Sequence, residues 1–486
     1  MCGIIGYVGY RKASPILLKG LKNLEYRGYD SAGIATCHAK HHLEVRKGAG
    51  KVEEIGKKLN FEGLEGDIGI AHTRWATHGA VTDRNAHPHT DSGGKIAIVH
   101  NGIIENYKEL KEELIEKGHK FSSDTDSEVI AHLIEENIAY GFEHACMNAF
   151  NNLKGSYAIL AIKEGEDRII GIRKDSPLVI GIAEHGTFFA SDIPSFLEWT
   201  KNVMYLYNYD IVIAGKEGVR VYNEGREVFR PIDTVEWDIE QAKKGEFRHF
   251  MMKEISEQAE TVMKAIKQDR AVVSAIVDEM KSAFGIFFVG CGSSYHASLA
   301  GSYLFSKVVK MHVNPVLASE FENYEHFLTD KTLVFAVSQS GETADVLEAV
   351  RVAKSKGSKV IGITNVMGSS LTMEGDASLL MHSGPEICVL STKTYTSQVV
   401  LMNLLAHALL NRYEEYIAEV KSLYLDIYNL TSRAMKEHLE ELAKELVNKE
   451  HIYLIGRGLQ YATALEAALK IKEVSYLHAE AFAGGE

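Results

Sequence analysis

The chain has 486 residues, a length typical of about three domains. Its 53 Lys and Arg stand against 66 Asp and Glu, so the formal net charge is −13, which argues against nucleic acid or an anionic membrane as a partner. The five cysteines, at positions 2, 37, 146, 291 and 388, contain no Cys-x-x-Cys pair, which predicts a cytoplasmic protein without a disulfide framework or structural zinc.

The first ~235 residues read as short strands separated by glycine turns, with a few helices. Their predicted strands include Gly3–Val8, Ile68–Thr73, Ile96–His100, Tyr157–Ile162 and Ile169–Ile172. Their predicted helices are Ser14–Leu24, Tyr107–Lys117 and Ser127–Ile138. This pattern favours a mixed α+β domain with antiparallel sheet, over residues 1–236.

A charged stretch with little apolar periodicity, Val235–Phe247, predicts a linker at 237–250. Strands then alternate with helices, which is typical of a doubly wound parallel sheet and predicts an α/β domain over 251–430. The predicted strands are Ile286–Val289, Leu333–Val337, Val360–Ile363 and Leu379–His382. The predicted helices are Tyr295–Val309, Thr343–Lys356 and Tyr395–Tyr413.

The last segment, 431–486, begins a second unit of the same kind. A helical stretch is followed by a strand at Ile452–Ile455 and a helix at Tyr461–Glu473. One strand and one helix cannot bury both faces of a sheet, so we expect an incomplete domain with an exposed strand edge.

Cys2 directly follows the initiator Met, whose removal would give this cysteine a free α-amino group. With a pKa near ~7.7–8, such an amine can act as a general base for its own thiol. A buried cysteine at the start of a strand is the commoner alternative, and the position alone does not exclude it.

Several motifs in order make the first half resemble the class II glutamine amidotransferase domain. These are Cys2–Gly6, Leu24–Gly33, His72–Gly79, His100–Asn106 and Asp124–Glu128. The resemblance implies an N-terminal nucleophile hydrolase fold, an αββα sandwich, in which Cys2 hydrolyses the amide of glutamine. No motif requires a cofactor or a metal, and the dense histidines lack a ligand cluster with zinc spacing.

The glutamine-binding residues follow from the resemblance and agree with the chemistry of the ligand. Arg74 can pair with the α-carboxylate, and Asp126 can neutralise the α-ammonium. Thr77 and His78 are expected to be further contacts. Outside this set of motifs, an internal salt bridge between Arg74 and Asp126 would be the simpler interpretation.

Asn101 and the backbone amide of Gly102 are expected to form an oxyanion hole. The alternative is a tight turn, which Asn-Gly favours. Arg84–His89 is expected to be a loop that closes over glutamine. Trp75 can gate an ammonia path, the alternative being a core aromatic.

Two Ser/Gly turns, Gly290–Ser294 and Ser338–Thr343, each follow a strand and open a helix. Hydroxyls, backbone N–H groups and a helix N-terminus together bind phosphate. With Glu386–Lys393, Ile455–Gly458 and Leu469–Glu480, these turns make this half resemble the sugar isomerase domains of the isomerising glutamine–fructose-6-phosphate aminotransferase family.

The resemblance implies that the sugar phosphate is held by Ser294, Ser338, Gln339, Ser340 and Thr343. Glu473 would move a proton between the first two sugar carbons with help from Lys470, which shares its helix face. A surface ion pair is the alternative for these two.

The expected activity is glutamine-dependent synthesis of glucosamine 6-phosphate from fructose 6-phosphate, the first step of amino-sugar biosynthesis, by a homodimer with internal transfer of ammonia. The family continues beyond Glu486 with a histidine and a terminal lysine that forms an imine with the sugar. A truncated chain that retains only glutaminase activity, or a phosphosugar-binding module joined to a residual glutaminase, therefore stays open. An amidotransferase acting on ribose phosphates is disfavoured, because no acidic pyrophosphate-binding loop follows the first domain.

Overall fold

A computed structural model describes residues 2–38, 41–76, 79–235 and 244–486. The chain divides into two compact units, residues 1–239 and 240–486. Of the linker expected at 237–250, residues 237–243 lie outside the described residues, and a helix begins at Phe250. Among the helices described, none is long and apolar enough to cross a membrane.

The first unit contains two antiparallel sheets. The eight-stranded sheet has the order β15-β11-β9-β10-β1-β4-β2-β3, and the seven-stranded sheet has the order β14-β13-β12-β8-β7-β6-β5. The strands are β1 (Gly3–Gly9), β2 (Ser31–His38), β3 (His41–Ala49), β4 (Ile68–Arg74), β5 (His89–Thr90), β6 (Ile96–Ile104), β7 (Gly155–Lys163), β8 (Arg168–Lys174), β9 (Val179–Ala183), β10 (Gly186–Ala190), β11 (Asn202–Tyr205), β12 (Ile211–Gly215), β13 (Gly218–Asn223), β14 (Arg226–Val228) and β15 (Ile232–Thr234).

Among the residues described, five helices flank these sheets. They are α1 (Ala13–Leu24), α2 (Val52–Lys58), α3 (Tyr107–Glu116), α4 (Glu128–Asn137) and α5 (Phe142–Asn151), with 3₁₀ turns at 25–27, 61–63, 138–140 and 193–195. Helix α1 packs on β1 and β4, whereas α4 and α5 cover the seven-stranded sheet. The expected αββα sandwich is confirmed.

The side chains of strand β7 show why the seven-stranded sheet is covered on both faces. Ala158, Leu160 and Ile162 point into the core between the two sheets. Their neighbours Tyr157, Ile159 and Ala161 point into the core under α4 and α5. Successive side chains of a strand face opposite sides, so an uninterrupted apolar strand requires cover on both faces.

The second unit contains a five-stranded parallel sheet with the order β17-β16-β18-β19-β20. Its strands are β16 (Gly285–Gly290), β17 (Asn314–Leu317), β18 (Thr332–Val337), β19 (Lys359–Thr364) and β20 (Ala377–Leu380). Its helices are α6 (Phe250–Ser256), α7 (Gln258–Ala265), α8 (Arg270–Ser282), α9 (Gly292–Val308), α10 (Ala344–Ser355), α11 (Ser370–Glu374) and α12 (Lys393–Leu409), with a 3₁₀ helix at Ala318–Phe327.

Helices cover both faces of this sheet. Phe288 and Phe335 pack against α7, α8 and α12, whereas Val289 and Val334 pack against α10 on the other face. The predicted doubly wound parallel sheet is confirmed.

The end of the chain differs from its prediction. Helices α13 (Tyr413–Ser422), α14 (Tyr424–Leu430) and α15 (Arg433–Leu446) lead to β21 (His451–Gly456), α16 (Leu459–Ser475) and β22 (His478–Ala483). The sequence pattern predicted one strand and one helix, but β22 pairs in parallel with β21. In His478–Ala483 alanines alternate with His478, Glu480 and Phe482, so the segment is not a continuous apolar run and an apolar pattern search misses it. Ile455 of β21 is still 74% exposed.

Candidate active sites

Cys2 lies at the start of β1, where Gly3 pairs with Thr73 of β4. Its Sγ is 3.3 Å from the backbone nitrogen of Trp75. Its carbonyl oxygen accepts hydrogen bonds from Arg27 Nε at 3.0 Å and Asn101 Nδ2 at 3.2 Å. Three elements that are distant in sequence therefore fix the cysteine.

Burial raises the pKa of the Cys2 thiol, while the backbone amide of Trp75 and the guanidinium groups of Arg74 and Arg27 act in the opposite direction. Because the net shift is upward, the thiol keeps its proton at neutral pH. A nucleophilic role for Cys2 therefore requires a base that removes this proton.

Arg74 and Asp126 are both buried, with exposures of 4% and 6%. Arg74 donates to the carbonyl oxygens of Gly79 and Ala80 at 3.2 and 3.3 Å. Burial lowers the pKa of Arg74, and the nearby Cys2, Asp126 and Asp30 oppose this shift. Arg74, Asp126 and Cys2 thus share one electrostatic neighbourhood.

Asn101 and Gly102 lie within β6 and pair with Ala158 and Tyr157 of β7, so the interpretation as a tight turn is wrong. Gly102 has φ +122°, and a Cβ there would overlap the carbonyl oxygen of Ser156. This irregular backbone position requires glycine.

His72 orients the Asn101 amide. Its Nε2 lies 3.0 Å from Asn101 Oδ1 and 3.1 Å from the carbonyl oxygen of His100, both acceptors, so Nε2 carries the proton. Burial lowers the pKa of His72 to about 3, so the ring is neutral. The Asn101 NH₂ group therefore points toward Cys2. No local sequence pattern indicates this role for His72.

The segment Arg84–His89 is held by a residue that the sequence analysis missed. Lys47 Nζ donates to the carbonyl oxygens of Ala86 at 2.7 Å, Pro88 at 3.0 Å and Arg84 at 3.3 Å. Burial lowers the pKa of Lys47 to about 8.

Trp75 is 42% exposed and contacts the Tyr29 ring edge-on, so the interpretation as a core aromatic is wrong. Thr77 and His78, expected to contact glutamine, lie outside the described residues.

In the second unit, several hydroxyl side chains lie between the end of β18 and the start of α10. Ser338 Oγ lies 2.8 Å from Thr343 Oγ1 and accepts from Gly341 N at 3.1 Å. Ser340 Oγ accepts from Glu342 N at 3.1 Å. Gln339 lies between these serines, and its carbonyl oxygen accepts from Asn365 N at 3.0 Å. The predicted phosphate residues 338–343 therefore form one compact loop.

Ser294 lies in the first turn of α9, after β16, the strand next to β18. Its Oγ accepts from Gln398 Nε2 of α12 at 3.1 Å, and both side chains are buried. Because parallel strands end at the same edge of a sheet, the two Ser/Gly turns lie side by side.

Lys470 and Glu473 form an ion pair of 2.8 Å on α16. Lys470 Nζ also donates to Ser293 Oγ at 3.0 Å, beside the Ser294 turn. Glu466 accepts from Ser293 Oγ at 2.8 Å, and its other oxygen lies 2.8 Å from His296 Nδ1. The pair belongs to a partly buried network and is not a free surface pair. The i, i+4 spacing of Glu466 and Lys470 was a signal that sequence reasoning could have used.

Comparisons with known proteins match both units. A sequence model of the glutamine amidotransferase domain matches residues 72–198, and one of the SIS domain matches residues 279–408 and 445–486.

A protein of Thermococcus kodakarensis named glutamine–fructose-6-phosphate aminotransferase (isomerizing) is 47% identical, over all of this chain and 83% of its own length. A protein of the same name from Clostridium tetani is 44% identical, over all of this chain and 82% of its own length. A solved structure, the C-terminal domain of glucosamine-fructose-6-phosphate aminotransferase from Francisella tularensis, is 32% identical. It covers 50% of this chain and 72% of that chain, with a TM-score of 0.44.

Proposed function

The chain belongs to the family of isomerizing glutamine–fructose-6-phosphate aminotransferases, and we propose that it uses glutamine to convert fructose 6-phosphate into glucosamine 6-phosphate. The observation that carries this proposal is the 47% identity to a named relative along the whole chain. The motifs of both half-reactions are present, one set in each unit.

In the first half-reaction, Cys2 is the nucleophile. After removal of Met1, its α-amine takes the thiol proton, and the sulfur attacks the amide carbon of glutamine. The α-ammonium returns this proton to the amide nitrogen, so collapse of the tetrahedral intermediate expels ammonia and leaves a thioester. Water then attacks the thioester, which releases glutamate and restores the Cys2 thiol. The raised pKa of the buried thiol supports the need for this base.

Asn101 and Gly102 stabilise the oxyanion of that intermediate. The Asn101 NH₂ group lies 3.2 Å from the backbone of Cys2 itself, and His72 holds its orientation. Preorganised donors of this kind stabilise developing charge more than water does.

Arg74 and Asp126 recognise the two charges of glutamine. A buried cation and a buried carboxylate in one neighbourhood match the α-carboxylate and the α-ammonium of the amino acid. Thr77 and His78 remain contacts proposed from the family resemblance.

In the second half-reaction, the loop hydroxyls and the start of α10 hold the sugar phosphate. The residues are Ser294, Ser338, Gln339, Ser340 and Thr343. Glu473 moves a proton between the first two sugar carbons, and Lys470 holds it through their 2.8 Å ion pair. Ammonia released at Cys2 is the nitrogen donor.

The proposal is tested by measuring glutamate and glucosamine 6-phosphate in the same reaction. Cys2→Ala is expected to lower both products by on the order of 10³-fold or more, because it removes the nucleophile. The buried Cys37 lies elsewhere, on β2, and Cys37→Ala serves as the control with both products retained. Glutaminase activity that survives Cys2→Ala would contradict the proposal.

Measurement of the intact mass tests whether the α-amine of Cys2 can be the base. The active protein is expected to begin at Cys2, and normal glutaminase turnover with Met1 retained would exclude the α-amine.

We also infer a cytoplasmic homodimer. The five free cysteines support a reducing compartment, and the resemblance to the sugar isomerase domains supports dimerisation. Light scattering coupled to size-exclusion chromatography measures the association, and a strictly monomeric chain would contradict it.

A further inference from the structure

A second group of reactive side chains lies in the first unit, apart from the residues assigned to glutamine. His119 follows α3, and His132 and Glu135 lie on one face of α4. His119 Nδ1 is 2.9 Å from Glu135 Oε2, and His132 Nδ1 is 3.1 Å from the same oxygen. The three ligand atoms lie within 4.8 Å of one another.

This spacing suits a transition-metal ion. Zinc binds imidazole nitrogen and carboxylate oxygen at about 2.0–2.2 Å, so tetrahedral ligand atoms are about 3.4 Å apart. The two nitrogen–oxygen separations are shorter than this by a few tenths of an ångström, and the separation of the two nitrogens is at most 4.8 Å. Two histidines and one glutamate also form a set that zinc uses with an open fourth position.

The second nitrogen of His119 supports the assignment. His119 Nε2 lies 2.8 Å from Glu136 Oε1, and the other oxygen of Glu136 is 3.1 Å from Lys117 Nζ. A carboxylate behind a ligating histidine fixes its tautomer and directs the free nitrogen lone pair toward the metal.

The protonation of the atoms around Glu135 also supports a bound cation. Glu135 Oε2 faces Nδ1 of both histidines and also accepts from Ser92 N at 3.2 Å. With the His119 proton on Nε2, toward Glu136, the Nδ1 lone pair of His119 faces a lone pair of Glu135 Oε2 at 2.9 Å with no proton between them. A cation between the histidine nitrogens and this oxygen would remove that repulsion.

The exposure of the three side chains and the position of a nearby hydroxyl group also fit a metal site. The side chains of His119 and His132 are 8% and 1% exposed, whereas Glu135 is 24% exposed and leaves an entry path. Ser92 Oγ lies 3.4–3.5 Å from both Nδ1 atoms, where it can hydrogen-bond a metal-bound water.

We propose that His119, His132 and Glu135 bind one Zn²⁺ ion, with Glu136 as the positioning carboxylate. The ion would tie the segment after α3 and the turn at Ser92 to α4. Its effect is on stability, because binding to the folded form alone stabilises that form.

The test is calorimetric titration of chelator-treated full-length protein with ZnCl₂. Every sample carries Cys2→Ser, because the Cys2 thiol and amine can bind zinc themselves. One equivalent of high-affinity zinc is expected, and His119→Ala should remove it. Glu136→Gln, which keeps the three ligands, should weaken binding by about 10–100-fold.

The matched control is His326→Ala. His326 Nε2 lies 3.5 Å from a carboxylate oxygen of Glu325 in the second unit, and its side chain is 83% exposed, so its loss should not change zinc binding. Circular dichroism without zinc establishes that each variant is folded, and zinc should raise the melting temperature of the parent but not of folded His119→Ala.

Absence of stoichiometric binding overturns the proposal, as does equal affinity in the parent and Glu136→Gln. If His119→Ala does not fold, the comparison of Glu136→Gln with His326→Ala decides the question alone.

Discussion

The two candidate sites are built on different parts of their sheets. At the glutamine site, Cys2 adjoins β1 and Arg74 ends β4 in the eight-stranded sheet, whereas Asn101 lies on β6 of the seven-stranded sheet. Sheet pairing holds the backbones of all three. At the sugar site, the residues Ser338–Thr343 lie in a loop beyond the end of β18. In the proposed function, the first site would depend on a few irreplaceable groups, whereas the second would share the sugar phosphate among several hydroxyls.

The largest effect that would sharpen this comparison is expected at Asn101. Asn101→Ala removes a preorganised oxyanion donor and should lower kcat for glutamine hydrolysis by about 10²–10³-fold with little change in KM. Steady-state glutamate release measures it. Asn148→Ala, an exposed asparagine on α5, is the control and should behave as wild type, and a loss confined to KM would argue against an oxyanion role.

A buried carboxylate in the second unit makes a pH-dependent contribution to the free energy of unfolding. Glu254 accepts hydrogen bonds from the backbone nitrogens of Ile387 at 2.6 Å and Cys388 at 3.0 Å, and burial raises its pKa to about 7. Between about pH 4.5 and 7 the folded form holds a proton that the unfolded form has lost, so its contribution to stability falls as pH rises.

Glu254→Gln keeps an acceptor oxygen but has no charge to bury. Relative to wild type, the variant should gain up to about 3 kcal/mol as pH rises from 4.5 to above 7. Hydrogen exchange of the 387–388 amides, compared between the two proteins at each pH, measures the difference. A difference that does not change with pH would contradict the titration of Glu254.

Removal of one loop hydroxyl tests whether several hydroxyl groups together hold the sugar phosphate. Ser338→Ala should raise KM for fructose 6-phosphate by roughly 10-fold, the value of one hydrogen bond to a charged group, and leave glutaminase activity unchanged. Ser355→Ala, at the exposed far end of α10, is the control. Complete loss of sugar binding would make Ser338 as irreplaceable as the strand residues of the first site.

The smallest effect is expected at Lys47. Lys47→Met keeps the buried stem but removes the three donors to the segment 84–89, so KM for glutamine should rise a few-fold with folding intact. Initial rates over a range of glutamine concentrations measure it. Lys57→Met, an exposed lysine on α2, should leave KM unchanged, and an unchanged KM in Lys47→Met would separate this segment from glutamine binding.

Much of the fold could be read from local pattern. The apolar runs Ile286–Val289 and Leu333–Val337 fall within β16 and β18, and most of the predicted helices end within a few residues of their observed bounds. The strand β22 could not be read in this way, because its alanines alternate with His478, Glu480 and Phe482 and form no apolar run. Its pairing with β21 decides its conformation.

The sequence by itself determined the residue types of both sites, because these are local: a cysteine after the initiator Met, and Ser/Gly turns placed between apolar strands and helices. Only the tertiary structure decided the partners that orient them. His72 reaches Asn101 from another strand, Gln398 reaches Ser294 across 104 positions, and Lys470 reaches Ser293 across 177. Contacts between residues so far apart depend on how sheets and helices pack, and no local spacing or periodicity carries that information.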